Sequence, residues 1–141
     1  MTGEQAQQAD YTLIFDGGSL GNPGPGYGSY VLIRNRDGKQ RIRRLNFEEE
    51  MTNNEAEYRT LIAGLEDLLG TISGAGRQPA DFSLEVRGDS RLILNQVAGT
   101  WKTRQPRLMP LCDRARELLG QFGAFTLTWQ ERRRSEEALG H

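Results

Sequence analysis

Three acidic residues stand where a chain could use them for chemistry. Asp16 closes the apolar run Tyr11-Thr-Leu-Ile-Phe15 and opens the glycine-rich stretch DGGSLGNPGPG, residues 16–26. Asp89 repeats that arrangement: Phe82, Leu84 and Val86 alternate, Gly88 follows, and the aspartate precedes a helical pattern. Glu57 lies four residues before Leu61, on the edge of the apolar stripe of another helix. Each has an ordinary reading by itself. Asp16 beside glycine suits a turn, Glu57 could face solvent, and Asp89 could cap the next helix, a role that Ser90 could also fill. Together they read differently, because strand ends and helix starts are where ligand sites form in α/β sheets. Three carboxylates meeting there would repel one another unless a cation neutralised them. Oxygen ligands are hard donors that favour Mg²⁺ or Mn²⁺ over zinc. With one histidine and one cysteine in the chain, no His/Cys cluster competes. A carboxylate-bound divalent metal is expected.

Positioning such a group requires a sheet with helices on its faces. Tyr11–Phe15 is rich in strand formers, Tyr27–Asn35 (YGSYVLIRN) predicts a second strand, and Arg36-Asp37-Gly38 signals a hairpin into a third over Lys39–Phe47. At Thr52 the period changes. Thr52-Asn-Asn-Glu55 reads as a capping box, and Leu61, Ile62, Leu65, Leu68 and Leu69 follow at helical spacing, predicting a helix over about 54–69. Residues 71–80 read as a loop, Phe82–Val86 as a fourth strand, Ser90–Val97 and Leu108–Phe122 as helices, and Phe125–Trp129 as a fifth strand. A last helical turn is expected near Ser135. The order β-β-β-α-β-α-α-β-α predicts an α/β fold with a mixed five-stranded sheet, three antiparallel strands first and crossover strands after.

The chain has 141 residues, 36% hydrophobic and 26% charged, the balance of one soluble globular domain. Residues 1–10 (MTGEQAQQAD) read as a disordered lead-in without signal-peptide character, and residues 11–141 as the domain. No apolar run approaches the ~20 residues that span a bilayer. The single Cys112 falls in a helical pattern and suits a packed thiol in a reducing compartment, so a cytoplasmic monomer is expected. Net charge is −1, but basic residues cluster at Arg41/Arg43/Arg44, Lys102/Arg104/Arg107 and Arg132–Arg134. Such clusters can attract phosphate, or can simply form solvated faces.

The segments DGGSLGNPGPG at 16–26, TNNEAEY at 52–58 and GDSRLILNQV at 88–97 resemble, in order and spacing, the three signature blocks of type 1 ribonuclease H. GTWKTRQPRL at 99–108 is similar to the linker of bacterial and archaeal members that lack the extended basic protrusion. The resemblance implies the ribonuclease H fold and hydrolysis of the RNA strand of RNA–DNA hybrids, leaving 5′-phosphate and 3′-hydroxyl ends. It implies that Asp16, Glu57 and Asp89 are the metal-binding catalytic carboxylates, with Glu55 at a variable position. Two Mg²⁺ or Mn²⁺ ions, about 4 Å apart in the two-metal scheme, would flank the scissile phosphate. Asn53 and Asn54 match residues that touch the hybrid in the minor groove, and Asn22 lies in another contact segment. Gly17 and Gly18 could let the sugar-phosphate chain approach closely, and Thr52 with Asn22 could help hold a DNA-strand phosphate. Trp101 and Lys102 could make a stacking or basic contact, or the tryptophan could be buried.

The tail departs from the family pattern. Members carry a fourth acid, an aspartate, early in the last helix, where this chain reads TWQERRRSEEALGH. In one register Leu139 takes that place and only three carboxylates remain. A two-residue slip instead makes Glu137 the fourth metal ligand and catalytic acid, with Glu136 and His141 as alternates. The histidine that the family often has in the preceding loop is missing, and the only histidine is His141, where fraying is the usual state. These departures predict reduced stability or altered metal dependence. Two rivals follow: a hybrid-binding module that has lost turnover, and another nuclease or strand-transfer enzyme of the same fold, which the TNN block disfavours.

Overall fold

β1 (Tyr11–Ser19) is apolar on both faces because it runs through the middle of the sheet: Leu13, Ile14 and Phe15 are all buried. It pairs antiparallel with β2 (Gly24–Arg34), which pairs antiparallel with β3 (Lys39–Met51). On its other side β1 pairs parallel with β4 (Ser83–Gly88), and β4 pairs parallel with β5 (Ala124–Trp129). The strand order is β3-β2-β1-β4-β5, the mixed five-stranded sheet expected. Four α-helices lie among the described residues: α1 (Asn53–Gly74), α2 (Arg91–Ala98), α3 (Met109–Leu119) and α4 (Arg132–Leu139).

The computed structural model describes residues 8–141, so residues 1–7 of the expected lead-in lie outside the described residues. Ala9 and Asp10, also assigned to that lead-in, are tied to the sheet. Asn35 donates to the Ala9 carbonyl at 2.8 Å, and the Ser83 N–H donates to the Asp10 carboxylate at 2.8 Å.

Strand alternation sorts the two faces. Leu13 and Phe15 of β1, Tyr30 and Leu32 of β2, and Leu84 and Val86 of β4 join α1, α2 and α3 in the main core. Ile14 and Val31 face the opposite way and form a small second core with Leu139 of α4. Asp16, two residues after Ile14, therefore belongs to the α4 face, as does Ser29, which lies opposite it in the ladder.

Several boundaries differ from expectation, for reasons of packing. β1 does not stop at Asp16 but continues through the glycines to Ser19, pairing Gly17 with Gly28 and Gly18 with Tyr27. β3 runs past Phe47 to Met51, which is buried. α1 extends to Gly74 because Ile72 prolongs its buried stripe. α4 is an eight-residue helix beginning at Arg132 rather than a turn near Ser135.

α1 lies very close to the sheet. A Cβ on Gly17 would come within 2.8 Å of the Ala56 carbonyl oxygen and 2.9 Å of the Glu57 Cα, and one on Gly28 would overlap the buried Thr60 hydroxyl. Gly70, exposed within α1, meets nothing within 4 Å. Gly28→Ala is accordingly expected to destabilise by about 1–3 kcal/mol through overpacking, whereas Gly70→Ala stabilises by about 0.5–1 kcal/mol through helix propensity. Urea unfolding of the two variants measures both, and a neutral Gly28→Ala would show that the contact can relax.

Candidate active site

Asp16, Glu57 and Asp89 line one open cleft at the end of β1 and β4, together with Gly17, Gly18, Ser19, Tyr27, Asn53, Ser90 and Arg132. Each acid is fixed by a different element. Asp16 rides on the central strand and is 8% exposed. Glu57 comes from the first turns of α1, whose start is set by the predicted capping box: the Thr52 hydroxyl accepts from the Glu55 N–H at 3.2 Å and Glu55 accepts from the Thr52 N–H at 3.0 Å. Asp89 follows β4, and its loop is pinned from β5. The Trp129 indole N–H donates to the Asp89 carbonyl at 3.1 Å and the Gln130 N–H donates to the Gly88 carbonyl at 2.9 Å. The Arg91 guanidinium sits 4.0 Å above the Trp129 ring, bracing the same corner.

The electrostatics of the cleft follow from burial and like charge. Burial raises the Asp16 carboxyl above its ordinary range, and the Asp89 charge raises it further, while Arg132, His141 and the Gly17 N–H pull it down. Glu57 is pushed up to about 8 by burial, then by the charges of Asp89 and Asp16, against smaller opposing effects from Ser90 and Arg132. Among the described residues, no three Asp, Glu, His or Cys side chains stand in ready-made coordinating geometry. Instead, the Asp89 charge opposes the ionisation of both Asp16 and Glu57, and the Asp16 charge opposes that of Glu57. Their oxygen-only donor set, partly buried and mutually repelling, fits a hard divalent cation.

Of the six residues expected to contact nucleic acid, Gly17, Gly18 and Asn53 line the cleft. Asn53 accepts from the Ser19 N–H at 2.8 Å, and Asn22 accepts from the Asn53 N–H at 3.1 Å. Asn22 and Thr52 therefore brace the rim, Thr52 as the α1 cap, and the half-buried Asn54 follows them in the first turn. Asp16, Glu57 and Asp89 are brought together as expected.

Glu137 is not brought to this group. Ser135 and Leu139 occupy the buried side of α4, which turns Glu137 outward: its side chain is 72% exposed and lies 4.0 Å from the Arg133 Nε. Leu139, at the place of the acid in the other register, is fully buried in the second core. Arg132, one of the basic cluster Arg132–Arg134, is a lining residue, and so are Ser19, Tyr27 and Ser90. Strand alternation through Gly18 and its ladder partner Tyr27 could have pointed to that pair. His141 is not frayed: its Nε2 lies 3.2 Å from the Ser29 hydroxyl.

Comparison with known proteins places this geometry. Residues 14–139 match the family model described as "Reverse transcriptase-like". The chain is 40% identical over 131 residues to the bifunctional protein Rv2228c of Mycobacterium tuberculosis, covering 87% of this chain and 32% of that protein. The chain thus spans about a third of the length of that relative. The crystal structure of RNase H1 from the halophilic archaeon Halobacterium salinarum is similar with a TM-score of 0.76 and 37% identity, over 92% of each chain. LC11-RNase H1, solved in complex with an RNA/DNA hybrid, has a TM-score of 0.74 and 27% identity, covering 90% of this chain and 89% of that one.

The raised Glu57 pKa carries a sign that can be checked without any substrate. Its stabilising share is fully present below the ordinary carboxylate range and is lost as pH rises from there through about 8, since the unfolded chain gives up the proton first. Without divalent cations, Glu57→Gln is expected to leave the Tm nearly unchanged at pH 5 and to raise it at pH 8.5. Equal shifts at both pH values in a thermal melt would contradict the assignment.

Proposed function

The chain belongs to the reverse-transcriptase-like family, on its type 1 ribonuclease H branch, and from that premise we propose that it is a metal-dependent endoribonuclease that cuts the RNA strand of RNA–DNA hybrids. The observation that carries this reading is the meeting of Asp16, Glu57 and Asp89 in one cleft, where burial and mutual repulsion hold Asp16 and Glu57 above their ordinary pKa. We take these three residues as the metal-binding catalytic acids. Mg²⁺ or Mn²⁺ held there, two ions with substrate, would supply activation of the attacking water and stabilisation of the departing 3′ oxygen in an in-line hydrolysis leaving 5′-phosphate and 3′-hydroxyl ends.

The remaining residues bind and orient. Gly17 and Gly18 carry no Cβ on the cleft wall, so a sugar-phosphate backbone can come close to Asp16. Arg132, on the opposite side, offers a fixed positive charge to a phosphate and cannot act as a base near neutral pH. Asn53 accepts from Ser19 through its carbonyl oxygen, which leaves its amide N–H groups to donate to a base edge or a 2′-hydroxyl. Asn22, Thr52 and Asn54 set the rim that carries Asn53. Contact with the 2′-hydroxyl is what separates an RNA strand from a DNA strand. The same reading takes residues 11–141 as a single catalytic domain acting as a cytoplasmic monomer. No helix among the described residues is long and apolar enough to cross a membrane.

A second reading, a hybrid-binding module with weakened or lost turnover, draws support from one observation: Glu137 turns away from the three acids. Labelled hybrid, double-stranded RNA and double-stranded DNA, incubated with Mg²⁺, Mn²⁺ or EDTA, separate the two. The nuclease cuts only the RNA of the hybrid and stops in EDTA. Asp16→Asn should slow that cleavage by about a hundredfold or more with an unchanged circular dichroism spectrum. Hybrid binding by the wild type without cleavage under either metal would favour the module, and residual activity of Asp16→Asn within about tenfold of wild type would remove Asp16 from its role.

A further inference from the structure

We infer that His141 supplies the nitrogen donor that completes the cation site on the α4 side of Asp16, in place of a fourth carboxylate. The inference rests on the reading of Asp16, Glu57 and Asp89 as metal ligands and adds a residue that their motif does not contain.

Neither buried position of α4 carries an acid. Its buried positions are Ser135 and Leu139, spaced by one turn, and Leu139 is committed to the second core with Ile14 and Val31. Ser135 accepts from the Gln130 side chain at 3.0 Å. Glu137 is on the outward side beside Arg133.

The chain beyond Leu139 is turned back toward the sheet by a defined cap. Gly140 adopts the left-handed conformation at φ 74°, ψ 29°, a backbone that glycine adopts without a steric penalty. Its N–H bonds to the Glu137 carbonyl at 3.3 Å, and the His141 N–H bonds to the Glu136 carbonyl at 2.9 Å, the paired bonds that close a helix end. From β3, the Arg44 guanidinium donates twice to the Leu139 carbonyl, at 3.2 and 3.1 Å, and holds the same turn against the sheet. Four hydrogen bonds and a buried leucine therefore fix the backbone from which the imidazole projects.

That imidazole lands on the strand pair that carries Asp16. Its Nε2 is 3.2 Å from the Ser29 hydroxyl, and Ser29 is the ladder partner of Asp16 on the same face of the sheet. A histidine that binds a metal commonly has its second ring nitrogen held by a hydrogen bond, which sets the tautomer and the ring orientation. The Ser29 hydroxyl is placed to do this, leaving the other nitrogen as the donor. An imidazole among carboxylates suits Mn²⁺ better than Mg²⁺, which favours oxygen ligands and keeps its waters. His141 should thus tilt this site toward Mn²⁺.

The test uses the full chain and Mn²⁺ alone, without nucleic acid. Pulsed electron paramagnetic resonance of bound Mn²⁺ should show modulation from a directly coordinated imidazole nitrogen in the wild type and lose it in His141→Ala. Mn²⁺ affinity, read from the free-ion signal, should fall about tenfold or more in that variant, while Mg²⁺ affinity by calorimetry changes by less than about threefold. Bound Mn²⁺ without nitrogen modulation in the wild type, or modulation that persists in His141→Ala, would overturn the inference. Asp16→Asn serves as the control for the underlying reading. If it abolishes Mn²⁺ binding while His141→Ala leaves both signals unchanged, only the role of His141 fails; if it leaves Mn²⁺ binding intact, the carboxylate site itself fails and His141 with it.

Discussion

The close approach of α1 to the sheet is the constraint on which the rest depends. Gly17 and Gly28 are ladder partners, and both lack the Cβ that would collide with Ala56, Glu57 and Thr60. That absence lets the first turns of a helix lie on the ends of two strands at backbone contact distance. The buried Thr60 hydroxyl donates to the Ala56 carbonyl at 2.7 Å, so the helix satisfies its own polar group at the tightest point. A helix held a few ångströms farther out would still bury its leucine stripe, but Glu57 would no longer share a cleft with Asp16.

Bringing acids together in this way costs stability, and the surrounding structure is arranged to bear it. Asp16 is anchored by a strand buried on both faces, Glu57 by a capped helix of 22 residues, and Asp89 by the bonds from Trp129 and Gln130. These supports hold the acids in place, while Arg132, His141, Ser90 and the Gly17 N–H counter the raised pKa values. Rigid walls around groups that resist ionisation suit the cation proposed for this cleft. Arg132 contributes from the first residue of α4, so α4, like α1 through Asn53 and α2 through its cap Ser90, presents its start to the cleft.

Much of this was legible in the sequence, and what was not has a physical reason. The order of elements along the chain, the helix cap at Thr52 and the grouping of Asp16, Glu57 and Asp89 follow from hydrophobic period, capping chemistry and motif spacing. Those signals are local and strong. The continuation of β1 to Ser19 was hidden because glycine has little strand propensity, and here the ladder with β2 overrides it. The orientation of α4 was hidden for a different reason. In RRRSEEALGH the only large apolar residue is Leu139, so the helical phase rests on one anchor, and the second core that fixes it lies far off in sequence. His141 was read as frayed because nothing in its neighbours announces Arg44, which is close only in three dimensions.

The central claim is that Asp16, Glu57 and Asp89 act together as the proposed divalent-cation site. Calorimetric titration of the metal-free protein with Mn²⁺ at pH 7, in two buffers of different ionisation enthalpy, tests it most directly. A Glu57 carboxyl held at about 8 is largely protonated at that pH, so binding should release close to one proton, and the observed heat should differ between buffers accordingly. Binding with no proton release, and heats identical in both buffers, would contradict the account.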